Sequence, residues 1–205
     1  MKIYSLVSLF SASLLWIACG SGPKTPNTET TTTDTNTVKT ESLPLPRVWE
    51  IKTSTGKTMV ATETHPKGAS LSNIKIQFQG DSTGALSFTD VDPISSAVTA
   101  DLDKNGFDEL YLVSTSVGTG TYGNIIGVSS NRDKSLSYIF VPEMDPNDLK
   151  PGKLFDGYEG YDRYAIENGT LIRRFPIKGD TNNLKSINYQ VMLGEGGLIL
   201  APKRK

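Results

Sequence analysis

Short runs in which apolar and polar residues alternate follow one another along the C-terminal three quarters of the chain. Residues 71–78 and 110–114 alternate most clearly, as expected for strands whose successive side chains point to opposite faces. Turn residues such as Asn105 and Gly106 separate the runs. No segment keeps a helical apolar period for a dozen residues. The pattern predicts an all-β, antiparallel domain over residues 46–205, built as a sandwich or a barrel. The other expected strands are 48–51, 59–64, 85–89, 98–102, 125–129, 136–141, 164–167, 171–175, 187–193 and 198–201.

The N-terminus has the features of an export signal. Lys2 precedes an apolar run over residues 3–17, and a small residue directly precedes Cys19. This order is typical of a signal peptide, and the run is shorter than the ~20 apolar residues of a membrane-spanning helix. The position of the Cys matches the lipobox of bacterial lipoproteins, although Trp16 stands where Leu is usual. We expect a signal peptide over residues 1–18 and a lipid on Cys19 that anchors the protein to a bacterial membrane.

Residues 19–45 have the composition of a disordered tether. Residues 25–40 include nine Thr and no large apolar residue except Val38, which is too little apolar surface to offset the entropy of ordering. A tether of ~26 residues has a typical reach of ~28 Å. The anchored protein would face the periplasm or the cell surface. The alternative is an ordinary secretion signal, in which case the protein would be free in the periplasm.

The scarcity of Cys and His limits the chemistry of the chain. Cys19 is the only cysteine and His65 the only histidine, so an intramolecular disulfide is impossible and a zinc enzyme is not expected. A formal net charge of −1 gives no bulk attraction to nucleic acid. Asp156 and Asp162 would suit a glycosidase only at a defined separation, and a polar, aromatic loop is favoured there. We predict no catalytic residue and no enzymatic activity, with a small envelope hydrolase as a rival hypothesis.

A glycine-rich segment joins two of the expected strands. It reads Val117-Gly118-Thr119-Gly120-Thr121-Tyr122-Gly123-Asn124. The segment offers hydroxyls and a phenol, but no general base and no Lys or Arg. It does not fit a phosphate-binding loop, because no helix follows it and no Lys closes it. From these residues alone, both a decorated hairpin turn and an exposed binding loop stay open.

A second segment, residues 101–109, has the spacing of a short calcium loop. Asp101, Asp103 and Asn105 stand at positions 1, 3 and 5, Gly106 at position 6 and Glu109 at position 9, and a hard cation needs several such oxygens on a tight turn. The alternative is an acidic hairpin turn whose side chains cap their own backbone. We predict no cofactor and no metal site, while calcium stays open at this loop.

Several of these segments together resemble the family of periplasmic inhibitors of invertebrate-type lysozyme. The central blocks are residues 100–114, 118–127 and 131–137, and the likeness continues through 62–72, 157–162 and 167–176. The resemblance covers about residues 60–200. It implies an all-β antiparallel fold without catalytic activity, an invertebrate-type lysozyme as the partner, and a homodimer as one expected state. Contact with a membrane is expected through the N-terminal lipid only.

In this family a Ser-Gly-x-Tyr motif enters the lysozyme cleft. The matching residues here are Thr119, Gly120, Thr121 and Tyr122. Thr119 keeps the hydroxyl of Ser and adds a methyl group, and Tyr161 stands where relatives often have His. The lysozyme-binding residues that the resemblance implies are Gly118, Thr119, Gly120, Thr121, Tyr122 and Gly123. The alternative function is a calcium-dependent surface adhesin or carbohydrate-binding module that uses the 101–109 loop.

Overall fold

The computed structural model describes residues 46–116 and 120–204. Within these ranges the chain forms twelve strands and one short 3-10 helix, Pro146–Leu149. No helix in the described residues is long and apolar enough to span a bilayer. The strands are β1 Arg47–Lys52, β2 Thr58–Thr64, β3 Ser72–Phe78, β4 Leu86–Val91, β5 Ile94–Ala100, β6 Glu109–Thr115, β7 Gly123–Ser130, β8 Leu136–Ile139, β9 Arg163–Glu167, β10 Thr170–Ile177, β11 Asp180–Gly194 and β12 Gly197–Pro202.

The strands form three four-stranded sheets, and every ladder between neighbouring strands is antiparallel. The strand orders are β1-β2-β3-β4, β5-β6-β7-β8 and β12-β11-β10-β9. Within each sheet, strands that are neighbours in sequence pair with each other, as expected when short turns connect antiparallel strands. The prediction of an all-β antiparallel domain, built as a sandwich or a barrel, is confirmed, and of the two architectures the sheets form a sandwich.

The central sheet, β5–β8, is buried on both faces. Leu110 and Leu112 of β6 pack into one apolar cluster with residues of β2 and β3, such as Met59 and Ile76. Tyr111, between them, packs into a second cluster with residues of β9–β12. Alternate side chains of β6 thus pack into two different apolar cores, one on each face of the sheet. This explains why β6 is almost continuously buried.

The second and third sheets meet at the end of β8. Phe140 donates its N–H to the carbonyl oxygen of Leu198 at 2.9 Å, and its own oxygen accepts the N–H of Leu200 at 2.8 Å. These bonds form a parallel bridge between Phe140 and Ile199. The bridge fixes β12 beside β8 and closes one side of the second core.

The structure differs most from the sequence prediction at two strands. β11 begins at Asp180 rather than at 187, because its polar first half is held by backbone pairing with β10, as between Ser186 and Arg174. β5 ends at Ala100, which pairs with Glu109, so Leu102 belongs to the turn. The predicted signal peptide, the Cys19 lipidation site and the tether over 19–45 lie outside the described residues.

Candidate functional site

The residues between β6 and β7 form the Tyr122 loop, residues 116–122, of which Ser116 and residues 120–122 are described. The last pair of the ladder joins Thr115 to Gly123. Beyond it, Ser116 donates its N–H to the oxygen of Tyr122 at 2.9 Å, and Tyr122 returns its N–H to Oγ of Ser116 at 2.8 Å. These bonds close the base of the loop. The side chain of Tyr122 is 45% exposed.

Gly120 and Thr121 turn the chain sharply just before Tyr122. Gly120 has φ +97° and Thr121 has φ +37°, a region in which a β-branched residue is unusual. A Cβ at Gly120 would lie 2.8 Å from the ring of Tyr122. Glycine at this position suits the positive backbone angle and leaves room for the ring that folds back over it.

A second loop, residues 157–162, packs against the Tyr122 loop and supports it. The backbone N–H of Tyr161 donates to the carbonyl oxygen of Gly120 at 2.9 Å and also to the carbonyl oxygen of Thr121 at 3.2 Å. The ring of Tyr158 lies against the ring of Tyr122, with centroids 5.8 Å apart. We call residues 157–162 the supporting loop. Tyr161 itself has φ +60° and a half-exposed side chain.

Asp162 connects the two loops to the core. Its buried carboxylate accepts the N–H of Gly123 at 2.8 Å and the hydroxyl of Tyr158 at 2.5 Å through Oδ2. Its Oδ1 accepts Nε of Arg173 at 2.6 Å. Arg173, on β10, also donates Nη2 to the oxygen of Tyr158 at 2.6 Å. Both carboxylate oxygens of Asp162 therefore accept hydrogen bonds. Through them Gly123, the first residue of β7, is linked to the buried ion pair of Asp162 and Arg173.

The guanidinium of Arg173 is enclosed by aromatic rings. It lies 5.1 Å from the ring centre of Phe155, 4.8 Å from Tyr158 and 5.5 Å from Tyr164, within cation–π range. Burial by itself would lower the pKa of Arg173, but its hydrogen bond to Asp162 reverses this and keeps the pKa above its usual value. Burial also raises the pKa of the Tyr158 and Tyr164 hydroxyls. The network therefore holds a permanent cation and protonated phenols.

A groove of about 800 Å³ lies beside the Tyr122 loop. Its lining includes Tyr122, Asn124, Met144, Tyr158 and Arg204. The volume is within the range of pockets that accept a small ligand or a partner's side chain. The exposed phenol of Tyr122 thus borders a concave surface.

His65 lies in a small polar cluster in the first sheet. Its Nδ1 is 3.2 Å from Oγ of Ser72, and its Nε2 is 3.6 Å from Oε1 of Glu63. Ser72 is fully buried and donates its proton to Glu63 at 2.9 Å. The hydroxyl is not presented to a substrate, and Glu63 is further engaged by the N–H of Ile94 at 2.9 Å. These contacts fit a structural role that links β2, β3 and β5.

The 101–109 loop connects β5 to β6. Asp101 accepts the N–H groups of Asn105 and Gly106, both at 2.9 Å. Asp103 accepts the side-chain N–H of Asn105 at 2.9 Å. Asp101, Asp103 and Glu109 each place a carboxylate oxygen within 4.8 Å of the others. The loop thus brings together three of the four oxygen-bearing side chains that the sequence singled out, and the fourth, Asn105, lies in the same turn.

The sequence prediction and the structure overlap only in part at the Tyr122 loop. Gly120, Thr121, Tyr122 and Gly123 lie together at the loop and at the start of β7, while Gly118 and Thr119 lie outside the described residues. Sequence reasoning missed Arg173 as the partner of Asp162. The clue available was the density of aromatic residues around Asp162 in residues 155–164.

Comparison of the chain with models of protein families, with curated proteins and with solved structures gives no match.

Proposed function

We propose that this protein is a non-enzymatic inhibitor of invertebrate-type lysozyme, whose active site the Tyr122 loop enters. The observation that carries the proposal is the exposed phenol of Tyr122 on a loop that is braced by the buried Asp162–Arg173 pair. The family resemblance of residues 118–127 supplies the target. The geometry supplies a reason why such a loop would bind well.

Hydrogen-bond donors on this loop suit a glycosidase cleft. Such a cleft contains paired carboxylates that act on the glycosidic bond. The hydroxyls of Thr119 and Tyr122 can donate to carboxylates without presenting a bond that the enzyme could cleave. Tyr122 also supplies a large contact area with few rotatable bonds. We assign the main contacts to Tyr122 and Thr119, with Gly118, Gly120, Thr121 and Gly123 shaping the loop.

The supporting loop lowers the entropy that binding must overcome. Glycine-rich loops lose much conformational freedom when a partner orders them. Here the oxygen of Gly120 is fixed by Tyr161, and the N–H of Gly123 is fixed by Asp162. Tyr122 is held between these two points. A loop that is ordered before it meets the enzyme retains more of its contact energy as affinity.

The proposed location follows from the N-terminus. Lysozyme attacks peptidoglycan, and a lipid on Cys19 would keep the inhibitor concentrated beside that layer. A tether over residues 19–45 would let the Tyr122 loop turn toward an incoming enzyme. In this proposal the protein protects the bacterial cell envelope against a host lysozyme.

The experiment is an inhibition assay with the full chain in detergent micelles. An invertebrate-type lysozyme digests a peptidoglycan suspension in the same detergent, with a chicken-type lysozyme assayed in parallel for specificity. We expect inhibition at micromolar concentration or below. If the invertebrate-type enzyme stays fully active at that concentration, the proposal is wrong for that enzyme.

A matched pair of variants tests the loop itself. Tyr122→Ala should raise the inhibition constant by about 30-fold or more, which corresponds to about 2 kcal/mol. Tyr138→Ala removes a tyrosine of similar exposure from β8 and should leave the inhibition constant unchanged. Equal losses in the two variants would contradict the assignment of the Tyr122 loop. Circular dichroism of both variants checks that the fold is intact.

A further inference from the structure

Glu109, the first residue of β6, has an unusual environment. The residue is fully buried. Its Oε2 accepts the N–H of Leu102 at 2.7 Å and the hydroxyl of Tyr111 at 3.2 Å. Its Oε1 is buried and has no hydrogen-bond partner among the described residues. A buried carboxylate oxygen without a partner is costly, and such a group requires an explanation.

The neighbours of Glu109 increase this cost. One carboxylate oxygen each from Asp101, Asp103 and Glu109 lie within 4.8 Å of one another. Burial is the main cause that raises the pKa of Glu109 to about 7, and the charges of Asp103 and Asp101 contribute to the same rise. Three acidic groups are thus crowded around one point, and one of them has a free oxygen inside the protein.

The spacing of these oxygens fits a calcium ion. Ca²⁺ takes ~6–8 oxygens at ~2.3–2.6 Å in a flexible geometry, so oxygens that lie within 4.8 Å of one another can bind the same ion. Mg²⁺ demands a near-ideal octahedron at ~2.0–2.1 Å and retains several waters. A set made only of oxygens is typical of a hard cation rather than of zinc. Asp101, Asp103 and Asn105 stand at positions 1, 3 and 5 of the loop, with Gly106 at position 6.

We propose that the 101–109 loop binds one calcium ion, with the carboxylates of Asp101, Asp103 and Glu109 as ligands. The ion supplies the partner that Oε1 of Glu109 lacks and neutralises the crowded charges. Asn105 and the backbone carbonyl of Phe107, at position 7, are the next oxygens that the loop pattern offers.

The ion has a structural role and is remote from the Tyr122 loop. β6 runs from Glu109 to Thr115, so the 101–109 loop and the Tyr122 loop lie at opposite ends of this strand. The adjacent Asp108 accepts the N–H of Ser54 at 2.6 Å and its hydroxyl at 2.9 Å. Calcium therefore stabilises the point where the β1–β2 turn meets the central sheet, and it does not take part in lysozyme binding.

The test is thermal unfolding and calorimetric titration of the full chain in detergent after treatment with EDTA. Added CaCl₂ should bind at one site and raise the Tm by about 5 °C or more at 100 times the Kd. MgCl₂ at the same concentration should raise the Tm by much less. No binding heat together with an unchanged Tm would overturn the proposal, and an equal response to Mg²⁺ would overturn the assignment to calcium.

Two variants identify the ligands. Glu109→Gln and Asp103→Asn keep the size of each side chain and remove its charge, so each should abolish the rise in Tm that calcium produces. Glu195→Gln, an exposed acidic residue in the turn between β11 and β12, should retain the full rise. A calcium response that persists in both loop variants would show that the ion binds elsewhere. Asp103→Asn serves as the decisive variant if Glu109→Gln does not fold.

Discussion

Gly160 packs so closely on Gly120 that a Cβ added to Gly160 would overlap the carbonyl oxygen of Gly120. The two residues belong to the supporting loop and to the Tyr122 loop. Gly160 also has φ +93°, a backbone angle that residues other than glycine rarely adopt. Glycine at this position lets the two loops contact each other through their backbones, and the neighbouring Tyr161 N–H then bonds to the Tyr122 loop.

Gly160→Ala should separate the two loops. The added methyl group meets backbone rather than a side chain that can rotate away, so we expect a packing cost of about 1–3 kcal/mol beyond the cost of the positive φ. The loss of support should raise the inhibition constant for invertebrate-type lysozyme by about 10-fold or more. The inhibition assay and thermal unfolding measure the two effects.

Gly56→Ala is the control for this variant. Gly56 lies in the β1–β2 turn with φ +88°, and a Cβ there would meet no atom within 4 Å. This variant has the same backbone penalty of about 1–2 kcal/mol without the clash. It should lower the Tm slightly and leave inhibition unchanged. A similar loss of inhibition in both variants would show that general destabilisation, and not the loop contact, is responsible.

Asp162→Asn should destabilise the protein strongly. Asp162 uses both of its carboxylate oxygens, since one accepts the N–H of Gly123 and the other accepts Nε of Arg173. The side chain of Asn has only one acceptor oxygen. The substitution also leaves the buried Arg173 cation without its counter-ion. Breaking such a pair typically costs about 3–5 kcal/mol, which corresponds to a fall in Tm of about 10 °C. Thermal unfolding by circular dichroism measures the change.

Glu167→Gln provides the comparison on the protein surface. Glu167 forms two hydrogen bonds of 2.6 Å with Arg174, the residue next to Arg173. This pair is exposed to solvent, where water and salt screen the charges. Its removal should change the Tm very little. If Glu167→Gln and Asp162→Asn gave equal falls in Tm, burial would not explain the importance of Asp162.

The sequence pattern predicted most strands because alternation reports which side chains are buried. It failed for the first half of β11, where residues such as Asn182 and Asn183 show no apolar pattern. That segment is a strand because its backbone pairs with β10, and backbone bonds leave little trace in side-chain chemistry. Residues 110–113 alternate only if Tyr111 is counted as polar. Counted as apolar, Tyr111 makes Leu110-Tyr111-Leu112-Val113 a continuous apolar run, which is typical of a strand buried on both faces.

Only the Tyr122 loop of the candidate site could be predicted from the sequence. Tyr122 and the glycines around it stand together in the sequence, and the resemblance points to them directly. Asp162 lies 39 residues from the Gly123 that it contacts, and Arg173 reaches the site from a different sheet. No local pattern relates residues that meet only through the packing of sheets.

Tyr122→Phe separates the two contributions that we assign to this side chain. The variant keeps the ring that packs against Tyr158 and removes only the hydroxyl. A hydrogen bond to a charged group contributes about 1.5–3 kcal/mol, so a phenol that donates to a cleft carboxylate should lose at least about 10-fold in affinity as Phe. Tyr138→Phe is the control. It removes a hydroxyl that lies 3.3 Å from the carbonyl oxygen of Ser87, and this variant should inhibit like the unaltered protein. Full inhibition by Tyr122→Phe would mean that the ring acts through contact area alone, and the proposed bond to a carboxylate would have to be abandoned.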